Sequence, residues 1–176
     1  MERHHDVSIL IATNRGERDY LKTVVAIAKG CPANISVEVI VIRNSCGAGE
    51  SRCSIGPSVT LALLSEPIAG KSNALNRGLM EASGEVVLFT DDDVVPSRNW
   101  VKRYFQAAFA HRQDDLFCGP ILPLYPEGTP AWIPAHSYAG ILYAHFLPRP
   151  TEGSLLPGVI PFGPIFAVRR KSIGNL

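Results

Sequence analysis

Four short apolar runs rich in β-branched residues set the strongest limit on the fold of this chain. They are VSILIAT at residues 7–13, VEVIVIRNS at 37–45, VTLALLSEP at 59–67 and EVVLFT at 85–90. Their apolar residues mostly follow one another instead of alternating with polar ones, which is typical of strands covered on both faces. The runs therefore predict interior strands of a sheet with helices packed against both sides.

The segments between these runs have helical periodicity. Residues 17–30 place apolar side chains at helical spacing and end at Gly30, and residues 70–84 do the same and end at Gly84. A third helix is predicted to open at Pro96–Ser97. The Gly- and Ser-rich stretch 46–58 is predicted to be a loop.

Strands that alternate with helices predict an α/β fold with a mostly parallel central sheet and helices on both faces. In such sheets ligands bind at the carboxyl ends of the strands, where helix N-termini also point. Thr13, Asn44, Pro67 and the triplet 91–93 all fall at predicted strand ends. We expect them to converge on one site.

The composition changes after residue 118, since ten of the 14 prolines lie in 119–176. We interpret 1–118 as the ligand-binding α/β half and 119–176 as a Pro-rich segment of the same single domain. Short strands are predicted at 116–122 and 165–170, and a short apolar helix at 137–147.

Composition excludes several classes of protein. With 46% hydrophobic and 19% charged residues, the chain is predicted to be globular. No apolar run is long enough to span a bilayer, so no transmembrane segment is predicted. The formal net charge of +1 disfavours nucleic acid as a partner. The beginning, MERHHDVSIL, lacks the pattern of a signal peptide, which favours a cytoplasmic protein. Peripheral association with the inner membrane face is a further option. The four cysteines form no CxxC pair and are predicted to be free thiols.

The acidic triplet Asp91–Asp93 follows the last of the four apolar runs directly. Adjacent carboxylates repel one another, so partial burial would either raise their pKa values or require a cation to hold them ionised. If the segment is extended, Asp91 and Asp93 face one site while Asp92 turns aside. Such oxygen ligands suit Mg²⁺ or Mn²⁺ together with a diphosphate. The simpler alternative is that the aspartates cap the following turn or solvate a loop.

Four stretches together resemble the nucleotide-sugar-binding half of a family 2 glycosyltransferase. These are VSILIAT, VEVIVIRNS, GKSNALNRGLMEASGEVVLFTDDD and FGPIFAVRR, of which the stretch 70–93 is the most specific. The resemblance implies a Rossmann-like nucleotide-diphospho-sugar transferase fold of the A type, with a DxD motif and polysaccharide biosynthesis as a setting. It further implies that Asp91 and Asp93 bind the divalent metal and the sugar nucleotide. Asp92 would lie near the ribose or the donor sugar.

The resemblance also assigns nucleotide-binding roles outside the triplet. Thr13 and Arg15 would line the nucleotide pocket, and Lys71 and Asn76 would approach the nucleotide and its phosphates; a solvated helix face is the alternative for Lys71. The family usually has an acidic residue after its second strand that pairs with the base. In this chain Arg43 and Asn44 occupy that position. Asn44 can hydrogen-bond a base as donor or acceptor, whereas an arginine cannot accept a hydrogen bond.

The catalytic base is not assigned. Inverting members place it in an acidic motif after a segment like FGPIFAVRRKSIGNL, and the chain ends at Leu176 before such a motif, so the base is expected beyond Leu176. Candidates inside the chain are Glu127, Glu152, His136 and His145. Aromatic residues of the last third are candidates for contact with an acceptor, since aromatic faces suit sugar rings: Trp132, Tyr138 and Tyr143.

The sequence therefore predicts metal-assisted transfer of a sugar from a nucleoside diphosphate donor, with a UDP-sugar favoured, to a hydroxyl of a glycan, lipid-linked or other acceptor. Two alternatives stay open: a non-catalytic nucleotide-sugar or glycan-binding module, and a nucleotidyltransferase. A nucleotidyltransferase is disfavoured because it would have a Gly-rich, basic loop after the first strand, and TNRGERD contains a single glycine. The absence of GxGxxG after the first strand disfavours a dehydrogenase, and a P-loop motif is also missing.

Overall fold

The computed structural model describes residues 4–45, 49–135, 145–146 and 165–174. Seven strands form one sheet in the order β3-β4-β2-β1-β5-β7-β6. The strands are β1 (Val7–Thr13), β2 (Val37–Asn44), β3 (Ser51–Gly56), β4 (Val59–Glu66), β5 (Val86–Thr90), β6 (Leu116–Cys118) and β7 (Ile165–Arg169). The helices are α1 (Glu17–Gly30), α2 (Lys71–Glu81), α3 (Trp100–Ala110) and α4 (Trp132–Ala135), followed by a 3₁₀ turn at Arg170–Ser172.

The middle of the sheet is parallel. β1 pairs with β2 and β5, and β2 pairs with β4, all in parallel register. The antiparallel pairings lie toward the two edges, where β3 joins β4 and β7 joins β5 and β6. The α/β class and the mostly parallel central sheet are therefore confirmed.

Successive residues of each central strand face opposite helix layers. On β1, Ile9 belongs to the core under α1 and α3, which also contains Val24 and Trp100. Its neighbour Leu10 belongs to the core under α2, with Ala74. Both faces are apolar because both are covered, which explains why the strands read as continuous apolar runs.

The predicted loop at 46–58 is a correction, because it contains β3. This strand is exposed along most of its length and, among the described residues, pairs with β4 alone at an edge of the sheet. Its sequence, SRCSIG, has neither an apolar run nor clear alternation, since an exposed edge strand buries little side-chain surface. Backbone pairing with β4 rather than side-chain burial determines its structure.

The predicted ends of two helices also differ from the structure. α2 ends at Glu81 rather than Gly84, whose amide donates to Ser8 Oγ at 2.8 Å. α3 begins at Trp100, after a turn in which the Trp100 amide bonds the Ser97 carbonyl at 2.9 Å, and not at Pro96–Ser97.

Both predicted short strands are present, and one of them is shorter than expected. β6 ends at Cys118, whereas β7 matches the predicted strand to within one residue. Residues 137–144 and 147 of the predicted helix lie outside the described residues, and Phe146 forms an isolated bridge with Ile121. Among the described helices, none is long and apolar enough to cross a membrane.

Candidate functional site

The carboxyl ends of the parallel strands β1, β2 and β5 meet at one edge of the sheet, as expected, although Pro67 after β4 does not line the cleft there. A cleft of about 260 Å³ lies there. It brings together all but one of the residues that the sequence predicts for nucleotide and metal binding. The lining residues are Ala12, Thr13, Asn14, Arg15, Asn44, Lys71, Asp91, Asp92 and Asp93.

Asn76 is the predicted residue that the cleft does not include. It lies on α2 and is exposed. Lys71, at the first position of the same helix, does line the cleft. The helix therefore directs its N-terminal residue, and not Asn76, to the site, and the role of Asn76 stays a prediction.

The three aspartates do not share one partner. β5 ends at Thr90, and Asp92 and Asp93 form a turn rather than continuing the strand. The Asp91 carboxylate contacts Lys71 Nζ, and Asp93 Oδ2 accepts a hydrogen bond from Arg15 Nη1 at 3.1 Å. Each outer aspartate is thus paired with a cation from a different element.

Asp92 is the buried member of the triplet, with 8% of its surface exposed. Its Oδ2 accepts a hydrogen bond from Thr13 Oγ1, which itself accepts the Arg15 amide at 3.0 Å. Its carbonyl lies 2.9 Å from Thr23 Oγ1. Asp92 therefore connects β5 to β1 and α1.

Arg15 lies between the two C-terminal carboxylates of the triplet. Its Nη1 is 3.8 Å from Asp92 Oδ1 and 3.1 Å from Asp93 Oδ2. The negative charge of Asp92, and then that of Asp93, raises the pKa of the Arg15 guanidinium. The guanidinium stays protonated at all relevant pH values, so the cleft keeps a permanent cation beside the triplet.

The loop before α2 is fixed by Asn44. Its Nδ2 donates to the Ile68 carbonyl at 2.9 Å, and its Oδ1 accepts the Gly70 amide at 2.8 Å. Gly70 has φ of 128°, a conformation that favours glycine, and Lys71 follows it directly. Asn44 thus uses both ends of its amide to hold the loop that places Lys71 beside Asp91.

The donor chemistry of the triplet fits a hard divalent cation. Side chains of Asp91 and Asp93 are 27% and 56% exposed and line the cleft with oxygen atoms, which Mg²⁺ and Mn²⁺ prefer. Within the described part of the chain, no group of three His, Cys, Asp or Glu residues is arranged to hold a metal ion. Two carboxylates are enough for a cation that takes its other ligands from water and a diphosphate.

A larger cleft of about 1090 Å³ lies at the opposite edge of the sheet, where β1 and β5 begin. Some of its charged groups form contacts that hold the fold together. Arg169 Nε donates to the Asp114 carbonyl at 2.8 Å, and Arg169 Nη1 lies 3.6 Å from Glu85 Oε1. We regard the smaller cleft as the functional candidate because it lies at the ligand-binding edge of a parallel sheet.

The candidate bases and aromatic residues are only partly described. Glu127 and His145 are exposed and do not line the cleft, and Trp132 on α4 is 66% exposed. The remaining candidates lie outside the described residues: His136, Glu152, Tyr138 and Tyr143. No role was predicted from the sequence for Thr23, which contacts Asp92. The sequence signal for it is a threonine placed among apolar residues on the buried face of α1.

Open α/β sheets bind their ligands outside the carboxyl ends of the strands, and the acidic triplet and its two cationic partners lie at this edge. The sequence matches the model of Glycosyl transferase family 2 over residues 9–175. The chain belongs to this family. A sequence search of curated proteins finds no match.

Solved glycosyltransferase structures share the fold at low sequence identity. TarS 1-349 from S. aureus is 20% identical with a TM-score of 0.55, covering 71% of this chain and 38% of that one. The mannosyltransferase PcManGT from Pyrobaculum calidifontis, in complex with GDP-Man and Mn²⁺, is 19% identical with a TM-score of 0.57. The match covers 98% of this chain and 47% of that one. Glucosyl-3-phosphoglycerate synthase from Mycobacterium tuberculosis, in complex with Mn²⁺, UDP and phosphoglyceric acid, is 18% identical with a TM-score of 0.55. The match covers 95% of this chain and 56% of that one.

These similarities confirm the predicted A-type glycosyltransferase fold. The chain spans between 38% and 56% of the length of these solved structures.

Proposed function

We propose that this chain binds a nucleoside diphosphate sugar with Mg²⁺ or Mn²⁺ in the cleft at the carboxyl edge and transfers the sugar to an acceptor hydroxyl. One observation carries the proposal: the triplet Asp91–Asp93 lines this cleft, with Asp91 paired to Lys71 and Asp93 paired to Arg15. Membership of family 2 supports the reaction class. Structures with the same fold in complex with GDP-Man or UDP and Mn²⁺ support the ligands.

Asp91 and Asp93 are the residues that would hold the cation, which when bound supplies positive charge for the departing diphosphate. Lys71 and Arg15 are placed to bind the phosphate oxygens by charge-assisted hydrogen bonds. Charge that develops on the leaving group in the transition state is then stabilised by groups already in position. A general base must still remove the acceptor proton, and we assign that role to no described residue.

The donor and the acceptor are proposed by class. We propose a UDP-sugar as donor and a glycan, lipid-linked or other hydroxyl compound as acceptor, in polysaccharide biosynthesis. Residues 1–118 would provide the donor site, and 119–176 would contact the acceptor. We propose a cytoplasmic location, with peripheral contact at the inner membrane face when the acceptor is lipid-linked.

Calorimetry of UDP binding with and without Mn²⁺ tests the donor and metal site. Asp93→Ala should weaken Mn²⁺-dependent UDP binding by about 10-fold or more, since even groups that only orient a metal ligand contribute about that much affinity. Asp115→Ala is the matched control, because Asp115 is half exposed, pairs with Lys171 at 3.9 Å and lies outside the cleft. Equal, metal-independent affinity in all three proteins would contradict the proposal.

A panel of nucleotide sugars with Mn²⁺ separates the proposed enzyme from its alternatives. Donor hydrolysis or transfer to added sugar acceptors supports a glycosyltransferase. Saturable binding without turnover identifies a binding module instead. Formation of a nucleotide sugar from a nucleoside triphosphate and a sugar phosphate identifies a nucleotidyltransferase.

A further inference from the structure

Thr23 on α1 contacts the acidic triplet from behind, outside the residues that line the cleft. Its side chain is buried, with 2% of the residue exposed. Its Oγ1 lies 2.9 Å from the Asp92 carbonyl oxygen and 2.8 Å from that of Val94. A threonine inside a helix can bond a carbonyl one turn earlier in the same helix, but this hydroxyl bonds another segment. With a single proton, it donates to one of the two carbonyls at a time.

The turn after β5 is therefore attached at two points. Thr23 holds the Asp92 main chain, and Thr13 Oγ1 donates to the Asp92 carboxylate. A buried carbonyl without a partner is costly, so removal of the Thr23 hydroxyl should shift this turn. Asp91 and Asp93 are joined directly to Asp92, and their carboxylates move with it.

We propose that Thr23 is a positioning residue that fixes the turn from which Asp91 and Asp93 present their carboxylates to a divalent cation and a diphosphate. This inference rests on the proposed function, because it takes the two aspartates as the cation-binding groups. Thr23 does not line the cleft and acts through the Asp92 carbonyl. Loss of a group that orients metal ligands typically weakens metal affinity by about 10-fold to 100-fold.

Thr23→Val tests the proposal because it keeps the shape of the side chain and removes the hydroxyl. We expect Mn²⁺ affinity, measured by titration of free Mn²⁺ with electron paramagnetic resonance at saturating UDP, to fall by about 10-fold. Thr23→Ser restores the hydroxyl and should return the affinity to that of the wild type. Ser58→Ala is the control, since Ser58 Oγ donates to the Pro32 carbonyl at 3.0 Å and lies outside the cleft.

Circular dichroism and urea unfolding establish that each variant is folded before the titration. If Thr23→Val does not fold, Thr23→Ala removes the same hydroxyl with a better helix former. Any one of three results overturns the inference. The first is that the folded variant without the hydroxyl binds Mn²⁺ with wild-type affinity, and the second is that Ser58→Ala loses as much affinity as that variant. The third result is that Thr23→Ser fails to restore the affinity. If the wild type itself binds no Mn²⁺ with UDP, the proposed function fails instead.

Discussion

Asp92 differs from its two neighbours in what its carboxylate contacts. It is buried and bonds Thr13, whereas Asp91 and Asp93 are more exposed and pair with Lys71 and Arg15. The side chains of the triplet therefore divide into one anchor and two groups that face solvent and cations. If a cation binds the two outer carboxylates as proposed, it would compete with Lys71 and Arg15, which would then become available for phosphate oxygens.

Lys71→Met should affect cation and nucleotide binding in opposite directions. Without nucleotide, Mn²⁺ affinity should rise about 2-fold to 5-fold, since half-exposed ion pairs such as Lys71–Asp91 are worth about 1 kcal/mol or less. In the presence of Mn²⁺, UDP affinity should fall about 10-fold, because a charged hydrogen bond to phosphate is lost. Isothermal titration of each ligand with and without the other measures both effects.

The coupling between the two ligands gives this experiment a second readout. Binding free energies are reciprocal, so the factor by which Mn²⁺ tightens UDP equals the factor by which UDP tightens Mn²⁺. That factor should be smaller in Lys71→Met than in the wild type. Lys102→Met, an exposed lysine on α3 outside the cleft, should leave it unchanged. An unaltered factor in Lys71→Met would show that Lys71 does not exchange partners.

α2 is connected to β5 by a segment that passes very close to β1. A Cβ atom built on Gly84 would lie 2.4 Å from the Ser8 amide nitrogen and 2.6 Å from the Val7 carbonyl carbon. The sequence predicts a helix stop at Gly84, but the structure uses the glycine for this approach, three residues after α2 ends. The helix stop and the close approach cannot be distinguished from the sequence, because both favour glycine.

Gly84→Ala should therefore destabilise the fold strongly, because the contacted atoms are main chain and cannot rotate away. We expect a loss of about 3 kcal/mol or more in the free energy of unfolding, at the upper end of the cost of overpacking. Gly16→Ala is the matched control, since its Cβ would meet nothing within 4 Å and its φ of −69° suits alanine. Gly16 is the N-cap of α1, where alanine is less favourable than glycine, and this cost offsets the lower entropy of the unfolded chain, so the change in stability should stay within about 0.5 kcal/mol. Urea unfolding measures both, and equal stability of the two variants would contradict the argument.

Burial explains which elements of the whole molecule the sequence could predict. The four central strands were predicted nearly to the residue because both of their faces are apolar, and their shared carboxyl edge follows from parallel order. β3 was missed because its pairing with β4 buries little side-chain surface. In the site, the residues at strand ends were predicted as a group. The bonds of Thr23 to Asp92 and of Asn44 to Gly70 depend on tertiary geometry that no local pattern encodes.

At the edge opposite the candidate site, Glu38 joins several elements of the fold. It is fully buried on β2, and its Oε1 accepts hydrogen bonds from Ser8 Oγ at 2.7 Å and from the Ser83 amide at 2.6 Å. Its Oε2 lies 3.6 Å from His5 Nδ1 and 3.4 Å from Arg52 Nη1. The carboxylate therefore links β2 with β1, β3, the residues after α2 and the segment before β1.

Burial alone would raise the pKa of Glu38, but the hydrogen bonds from Ser8 and Ser83 and the attraction of His5 outweigh it and hold the pKa below its ordinary value of 4.5. A carboxyl whose pKa is lower in the folded state stabilises the fold above the unfolded pKa, and this contribution is lost as the pH falls through the folded pKa. Stability of the wild type should therefore decline as the pH drops below about 4.5.

Glu38→Gln should be less stable than the wild type at about pH 7, by about 1–3 kcal/mol, because charged hydrogen bonds are lost in a buried place. The deficit should shrink as the pH falls through the lowered pKa of Glu38 in the folded state, because the wild-type carboxyl then becomes protonated as well. Urea unfolding of both proteins across this pH range measures the difference, with Glu127→Gln as the control, since Glu127 is exposed and lies outside the helices and strands. A deficit that stays constant with pH would show that Glu38 keeps the same protonation state throughout and that its charge does not stabilise the fold.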